Sequence, residues 1–266
     1  ACNVHRRNEP VATDTVFSDT PAVDNGAKSA QLFVGRTSLV ADVYSLKTDK
    51  EFVNALEDNI RERGAMDKLI SDGSKAETST QIKDILRHLV ISEWRSAPYQ
   101  QNQNFAENRY ATIKAATNHV LNCSGAPPEC WLLALMHVCY VLNHLASAVL
   151  DWIPPLQALT GHTQDTSALF VCSFYEPIYY NPHTGGFPSS STEEMGHWVG
   201  VATHVGDALT FKVLTPANKI IYRSAICSAL DPTVRHRRLA PLGGKHATNH
   251  AGDKVFVRSN FDTTKL

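Results

Sequence analysis

Three acidic residues stand out by position. Asp14 falls inside the run Thr13–Asp14–Thr15–Val16–Phe17. There an ionisable group on a half-buried strand is costly unless it has a partner or a task. Asp72 follows Leu69–Ile70–Ser71, at the end of a short strand pattern, and Glu107 opens a helical pattern that starts near Phe105. Magnesium takes hard oxygen ligands from a few carboxylates and leaves positions for phosphate and water. Two such ions can stabilise the attacking and leaving oxygens of an in-line phosphoryl transfer. Two carboxylates from neighbouring strands and a third from a helix would supply that frame. A plainer reading stays open on spacing alone. Asp14 can be a strand-edge residue, Asp72 a turn residue before Gly73, and Glu107 a helix-start acid favoured by the macrodipole.

The elements that would position these acids can be read from periodicity. Val11–Phe17, Gln31–Val34 and Leu39–Leu46 read as strands, the first two joined by the turn-rich stretch at 21–26. From Asp49 to Arg63 the period changes: Phe52, Val53, Leu56 and Ile60 share a helical face, and Gly64 closes it. A short strand at 67–71 precedes the helix Gln81–Leu89, where Ile82, Ile85, Leu86 and Leu89 recur at helical spacing. Val90–Trp94 reads as a further strand, then Phe105–Leu121 as a helix stopped by Gly125–Ala126–Pro127–Pro128, and Glu129–Leu150 as an apolar helix. Three consecutive strands followed by alternating helices and strands predict an α/β fold. Its sheet should be mixed, antiparallel at first and parallel later, with helices on both faces. After Pro154–Pro155 the texture changes. A β-rich segment at 168–180, a loop at 181–194, and short runs at 198–202, 209–214 and 220–226 predict a small barrel.

Composition bounds the class. The chain has 266 residues, 43% hydrophobic and 19% charged, with a net charge of −1. That excludes a strongly basic coat protein and an acidic disordered tail. Charge is uneven: residues 232–266 carry 7 basic and 2 acidic side chains, a net of +5. Such a tail suits either phosphate contact or simple solvation. No two of the six cysteines are spaced C-x-x-C, so buried reduced thiols are the expectation. Between Glu129 and Asp151 lie 21 residues without Lys, Arg, Asp or Glu, long enough to span a bilayer. The stretch holds His137, Asn143, His144 and Ser147 and lacks aromatic belts or flanking basic clusters. It reads as a buried core helix, and no membrane association is expected.

Several separate blocks, in order, resemble the integrase of copia-type LTR retrotransposons, within the retroviral-integrase and DDE-transposase superfamily. Leu69–Ile70–Ser71–Asp72–Gly73 is similar to the segment carrying the second catalytic Asp. Ser96–Ala97–Pro98–Tyr99 and Gln103–Asn104–Phe105–Ala106–Glu107 are similar to the Pro-Tyr and Gln-Asn-x-x-Glu signatures. Thr13–Asp14 fits the first acid by its distance before Leu32–Phe33–Val34–Gly35. The stretch from Trp131 to Leu145 resembles the family's post-catalytic helix, and Pro155–Gly161 its Thr-Pro loop. Gly196–Gly200, Leu214–Pro216 and Ile220–Ser224 resemble its small SH3-like module. The chain departs from the pattern too. Asp72 and Glu107 are separated by 34 residues where the family usually has about 35, Gly73 stands where Asn is common, and Gly35 where Asp is often found.

The resemblance implies an RNase H-like core followed by a small all-β SH3-like barrel. It divides the chain into a remnant of an upstream zinc-binding region (1–10), the core (11–150), a linker (151–165), the β module (166–231) and a basic tail (232–266). It implies a piece of a Gag-Pol polyprotein that processes the 3′ ends of element cDNA and joins them to host DNA. Asp14, Asp72 and Glu107 would be the catalytic acids and the ligands of Mg2+ or Mn2+. DNA is the implied partner, with Asn104, Arg109, Lys114, Arg235, Arg237 and Arg238 as its contacts. Lys114, seven residues after Glu107, shares that acid's helical face. Arg109 and Lys114 can equally be solvated helix residues, and Asn104 a helix cap. A homo-oligomer and nuclear action are implied by the class. No zinc is expected in this stretch, since Cys2 is a single ligand. The alternatives are a degenerate or domesticated DNA-binding or assembly module, and a nuclease of the same fold that cuts without joining.

Overall fold

The computed structural model describes residues 4–72, 79–95, 105–182, 192–207 and 209–230, with the backbone of two short strands at 246–248 and 254–256. It divides into two compact units. One runs to Tyr175 and includes Val199–Val201; the other takes Glu176–Trp198 and the chain from Ala202 on.

The first unit is built on strands β1 (Pro10–Phe17), β2 (Ser29–Gly35), β3 (Ala41–Leu46), β4 (Lys68–Ser71) and β5 (Ser92–Arg95), in the order β3-β2-β1-β4-β5. β1–β2 and β2–β3 are antiparallel; β1–β4 and β4–β5 are parallel. This is the mixed sheet expected of an RNase H-like core. Its helices are α1 (Phe52–Arg63), α2 (Thr80–His88), α3 (Phe105–Ser124), α4 (Trp131–His144) and α5 (Pro155–Thr160).

Strand alternation sends successive side chains to opposite faces, and each face has its own core. Ala12, Val16, Leu32, Val34 and Ile70 meet Ala106 and Ile113 of α3 and Leu132, Leu135 and Val138 of α4. Val11, Phe33 and Leu69 meet Phe52, Leu56 and Ile60 of α1 and Ile82 and Leu86 of α2. Helices therefore cover both faces, α3 and α4 on the face that Ala12 and Val16 share.

The uncharged stretch at 130–150 is a core helix that ends earlier than its apolar run suggests. α4 stops at His144, Leu145 is extended, and a short 3-10 turn follows at Ala148–Leu150. The polar residues explain the stop. Buried Asn143 accepts from the Ala41 amide and donates to the Ala41 carbonyl, both at 2.9 Å. It thereby takes the place of a neighbouring strand at the free edge of β3. His144 Nδ1 lies 2.7 Å from the Tyr140 carbonyl. No helix among the described residues is long and apolar enough to cross a membrane. Truncating Asn143 to Ala leaves both Ala41 groups unpaired, and a loss of about 2–4 kcal/mol is expected in urea unfolding.

Strands β6 (Pro177–Tyr180), β7 (Glu194–Val201), β8 (Phe211–Leu214), β9 (Ile220–Arg223) and β10 (Ile226–Ser228) form a second sheet, ordered β10-β6-β7-β8-β9. The single strand expected over 220–226 is two. Ser224–Ala225 breaks it, and β10 crosses to pair antiparallel with β6. Laid flat, five strands would put the two edge strands about 19 Å apart. The chain from Arg223 to Ile226 reaches at most about 11 Å. The sheet must therefore roll until its edges approach, as a small barrel does. The expected β-rich run at 168–180 contains one strand, at its end, after a 3-10 turn at Ser167–Phe170. A final pair, β11 (His246–Thr248) and β12 (Lys254–Phe256), is antiparallel.

Candidate active site

Asp14 is positioned by sheet register. It pairs with Leu32 of β2 and lies two residues beyond Ala12 on β1, hence on the face covered by α3 and α4. The parallel ladder to β4 ends at Ala12↔Ile70. Carried two residues further, the register sets Asp14 opposite Asp72, the residue after β4. In parallel strands such opposed residues point to the same face. Glu107 comes from the third direction. It lies in the first turn of α3, beside Ala106, which is buried in the same core as Ala12 and Val16.

The three charges act on one another. Asp14 is half-buried, whereas Asp72 and Glu107 are exposed. Burial pushes the Asp14 carboxyl up to about 6, opposed by the Thr15 amide, with the negative charges of Glu107 and Asp72 adding to the rise. Among the described residues no three His, Cys, Asp or Glu side chains gather closely enough to enclose a metal. Like charges without a counter-ion repel one another, so an open triad is the electrostatic expectation. The donor set is carboxylate oxygen alone, which matches Mg2+ or Mn2+ and not a soft metal.

The neighbours of the acids come mainly from α3. Tyr110, one turn after Glu107, stands beside the candidate acids and is not among the residues that the sequence singles out. Burial raises its phenol, and the charge of Asp14 adds to the rise. Lys114 is exposed and sits 5.9 Å over the Tyr110 ring centroid. Both line a cleft of about 470 Å³ with Val16, Ser18, Asn118 and Trp131. The spacing Glu107, Tyr110, Lys114 (i, i+3, i+7) is the signal that would have found Tyr110.

Arg109 lies elsewhere. Two residues after Glu107 is about 200° around the helix. Its guanidinium is half-buried, its Nε has no hydrogen-bond partner among the described residues, and the nearby Cys139 thiol of α4 bears on it. Arg109 thus faces α4 and not the edge where Glu107 and Lys114 stand. Asn104, Arg235, Arg237 and Arg238 lie outside the described residues.

No protein-family model and no curated protein sequence matches the chain. Solved structures do resemble it. The catalytic core domain of HTLV-2 integrase, in complex with magnesium in a trimeric form, aligns with a TM-score of 0.45 and 17% identity over 57% of this chain and 96% of that one. Its dimeric form gives 0.44 and 17% over 58% and 97%. The simian T-cell lymphotropic virus intasome, in complex with PP2A regulatory subunit B56 gamma, aligns with a TM-score of 0.45 and 13% identity over 85% of this chain and 83% of that one. The strand order and the three acids stand without these likenesses.

Proposed function

We propose that the chain is the catalytic region of a copia-type retrotransposon integrase, released from a Gag-Pol polyprotein. It processes the 3′ ends of element cDNA and joins them to host DNA in the nucleus, acting as a homo-oligomer. One observation carries this reading. Acids from β1, from the end of β4 and from the first turn of α3 converge so that Asp72 and Glu107 both bear on Asp14. Structural ion-pair networks also perturb carboxylates, but here burial and the negative charges of Glu107 and Asp72 raise the Asp14 carboxyl, and a carboxyl so raised favours a positive partner.

Asp14, Asp72 and Glu107 would hold Mg2+ or Mn2+, which when bound polarises the scissile phosphodiester and lowers the pKa of the attacking hydroxyl. The chain's own groups would do the rest. Asp14, fixed between two strands, sets the position of the reacting phosphorus relative to the sheet. Glu107 and Asp72 approach from the open side, where substrate enters. Lys114 neutralises a backbone phosphate in the cleft beside them, and Tyr110 holds the lysine against its ring face. Asn104 and the arginines 235, 237 and 238 are assigned to further phosphate contacts; the placement of Arg109 favours packing. The rolled β unit is assigned the SH3-like role of carrying DNA.

The test is nicking and strand transfer on a labelled duplex with Mg2+ or Mn2+, with Asp72→Asn and Glu107→Gln beside the wild type. Turnover by the wild type alone supports the proposal. DNA binding without turnover by any of the three would instead favour the non-catalytic assembly module. Neither binding nor turnover at low salt sinks the nucleic-acid assignment. A second readout needs no substrate. Mg2+ at about 100 times its Kd should raise the wild-type Tm by roughly 5 °C or more, and that of Asp72→Asn far less.

A further inference from the structure

Besides the three acids, the exposed flank of α3 carries a pair of side chains able to ligate a metal. His119 and Cys123 are four residues apart, so they stand one above the other on the same helical face. Both are exposed. Cys123 Sγ lies 3.5 Å from His119 Nε2 and 3.9 Å from Nδ1. A tetrahedral ion with sulfur at about 2.3 Å and nitrogen at about 2.0–2.1 Å separates those two donors by about 3.5 Å. The Sγ to Nε2 distance is therefore already the bite of a zinc chelate. Glu107 is twelve residues earlier, about 18 Å along the helix axis. The two donor sets also differ in kind: thiolate and imidazole select zinc-like ions, carboxylates select magnesium-like ones.

We propose that His119 and Cys123 are half of a zinc-class site, which the same pair from a second copy of this chain completes as a Cys2His2 set. A closed zinc site takes four protein ligands. Among the described residues no third His, Cys, Asp or Glu joins this pair, so two positions are left over. A two-fold contact sets a surface patch against itself and would supply the same two donors again. The helix allows the approach. Ala111 and Ala115 precede His119 on the same line at four-residue spacing, and both are exposed. Neither side chain extends beyond a methyl group, so neither holds a facing helix away.

Cobalt is the probe, because a cobalt–thiolate bond gives a near-ultraviolet charge-transfer band. The full chain is titrated with Co2+ while mass is followed by light scattering. The expected result is a band that saturates at one cobalt per two chains, a twofold rise in mass, and displacement by zinc. Cys123→Ser and His119→Gln should each lose both. Cys227→Ser, which removes another exposed thiol, should keep both. Circular dichroism checks that the variants fold, as expected for exposed positions. The proposal is overturned if no band appears or if the band survives Cys123→Ser. It is equally overturned if the band saturates at one ion per chain with the mass unchanged, which would leave the contact as a thiol–imidazole hydrogen bond.

Discussion

Asp14→Asn is expected to make the protein more stable and inactive at once. The ordinary carboxyl value of 3.8 is raised to about 6 in the fold, first by burial and then by the charges of Glu107 and Asp72. Between those two values the folded chain holds a proton that the unfolded chain has released. Stability is therefore fully present below about pH 4 and is lost as pH rises through about 6. At neutral pH the ionised group costs the fold about 1–2 kcal/mol, after discounting the shift for partial exposure. Asparagine keeps the shape and removes the charge. Urea unfolding at pH 7.5 should show the variant more stable by that amount. A pH series from 3 to 7.5 should show the two equal near pH 3, with the wild type falling below the variant as pH rises through about 4 to 6. In the same variant, metal-dependent strand transfer should fall at least about a thousandfold. A variant less stable than wild type at pH 7.5 would mean that Asp14 has an attractive partner, and the metal reading would lose its physical basis.

That trade-off explains why Asp14 stands out in the sequence. An aspartate in a strand that ought to be half-buried violates local pattern, and such violations concentrate where function overrides stability. Asp72 and Glu107 stand out for a related reason: each sits at the boundary of an element, where side chains from different segments meet. The elements themselves were legible where one face is apolar. α2, with Ile82 and Leu86 buried on one face, falls close to its expected bounds, and so does β1, both of whose faces enter a core. The rest failed for reasons that are also physical. Tyr110 on an amphipathic helix looks like an ordinary core aromatic, because nothing local shows that Asp14 lies next to it. The end of α4 is set by Asn143 reaching β3, 102 residues away in sequence. The split between β9 and β10 carries neither glycine nor proline, since it is dictated by the rolling of the sheet. Arg109 and Lys114 follow Glu107 at two and seven positions, and on a helix only the second shares its face.

The largest loss of stability should follow from disturbing Glu9, in a stretch that sequence reading set aside as the remnant of another region. Glu9 is 3% exposed. It accepts from Arg7 Nε at 3.0 Å and Nη2 at 2.6 Å, from the amides of Thr37 and Ser38 at 2.9 and 2.8 Å, and from the Ser38 hydroxyl at 2.7 Å. Burial pushes its carboxyl up, but the Arg7 charge and the Ser38 donors together hold it below its ordinary value. This contribution is present above the unfolded pKa and is lost as pH falls through the lower folded one. Glu9→Ala strands a guanidinium whose side chain is 1% exposed, and a loss of about 3–5 kcal/mol is expected in urea unfolding at pH 7. Gly35 explains itself here. A Cβ at that position would press on Glu9 Oε1 and come within 2.6 Å of Arg7 Nη2 and of Ser38 Oγ. Those atoms are chain ends, but each is held by the others and has nowhere to go. Gly35→Ala should cost about 2–4 kcal/mol, and Gly35→Asp, the residue often found there in the family resembled, more, because it adds a second buried negative charge. In the double variant Glu9→Ala/Gly35→Ala the losses should fall short of additive by at least about 1 kcal/mol, since both act on one network. Additive losses would mean that the glycine is required for backbone reasons alone. The network also reaches the acids. Through Glu9 it ties the start of β1 to the β2–β3 turn, and the Arg7 amide donates to Ala65 just ahead of β4. It thus fixes the register that sets Asp14 opposite Asp72. A milder substitution that keeps the fold, Ser38→Ala, should therefore lower the rate of strand transfer by more than its loss of stability accounts for.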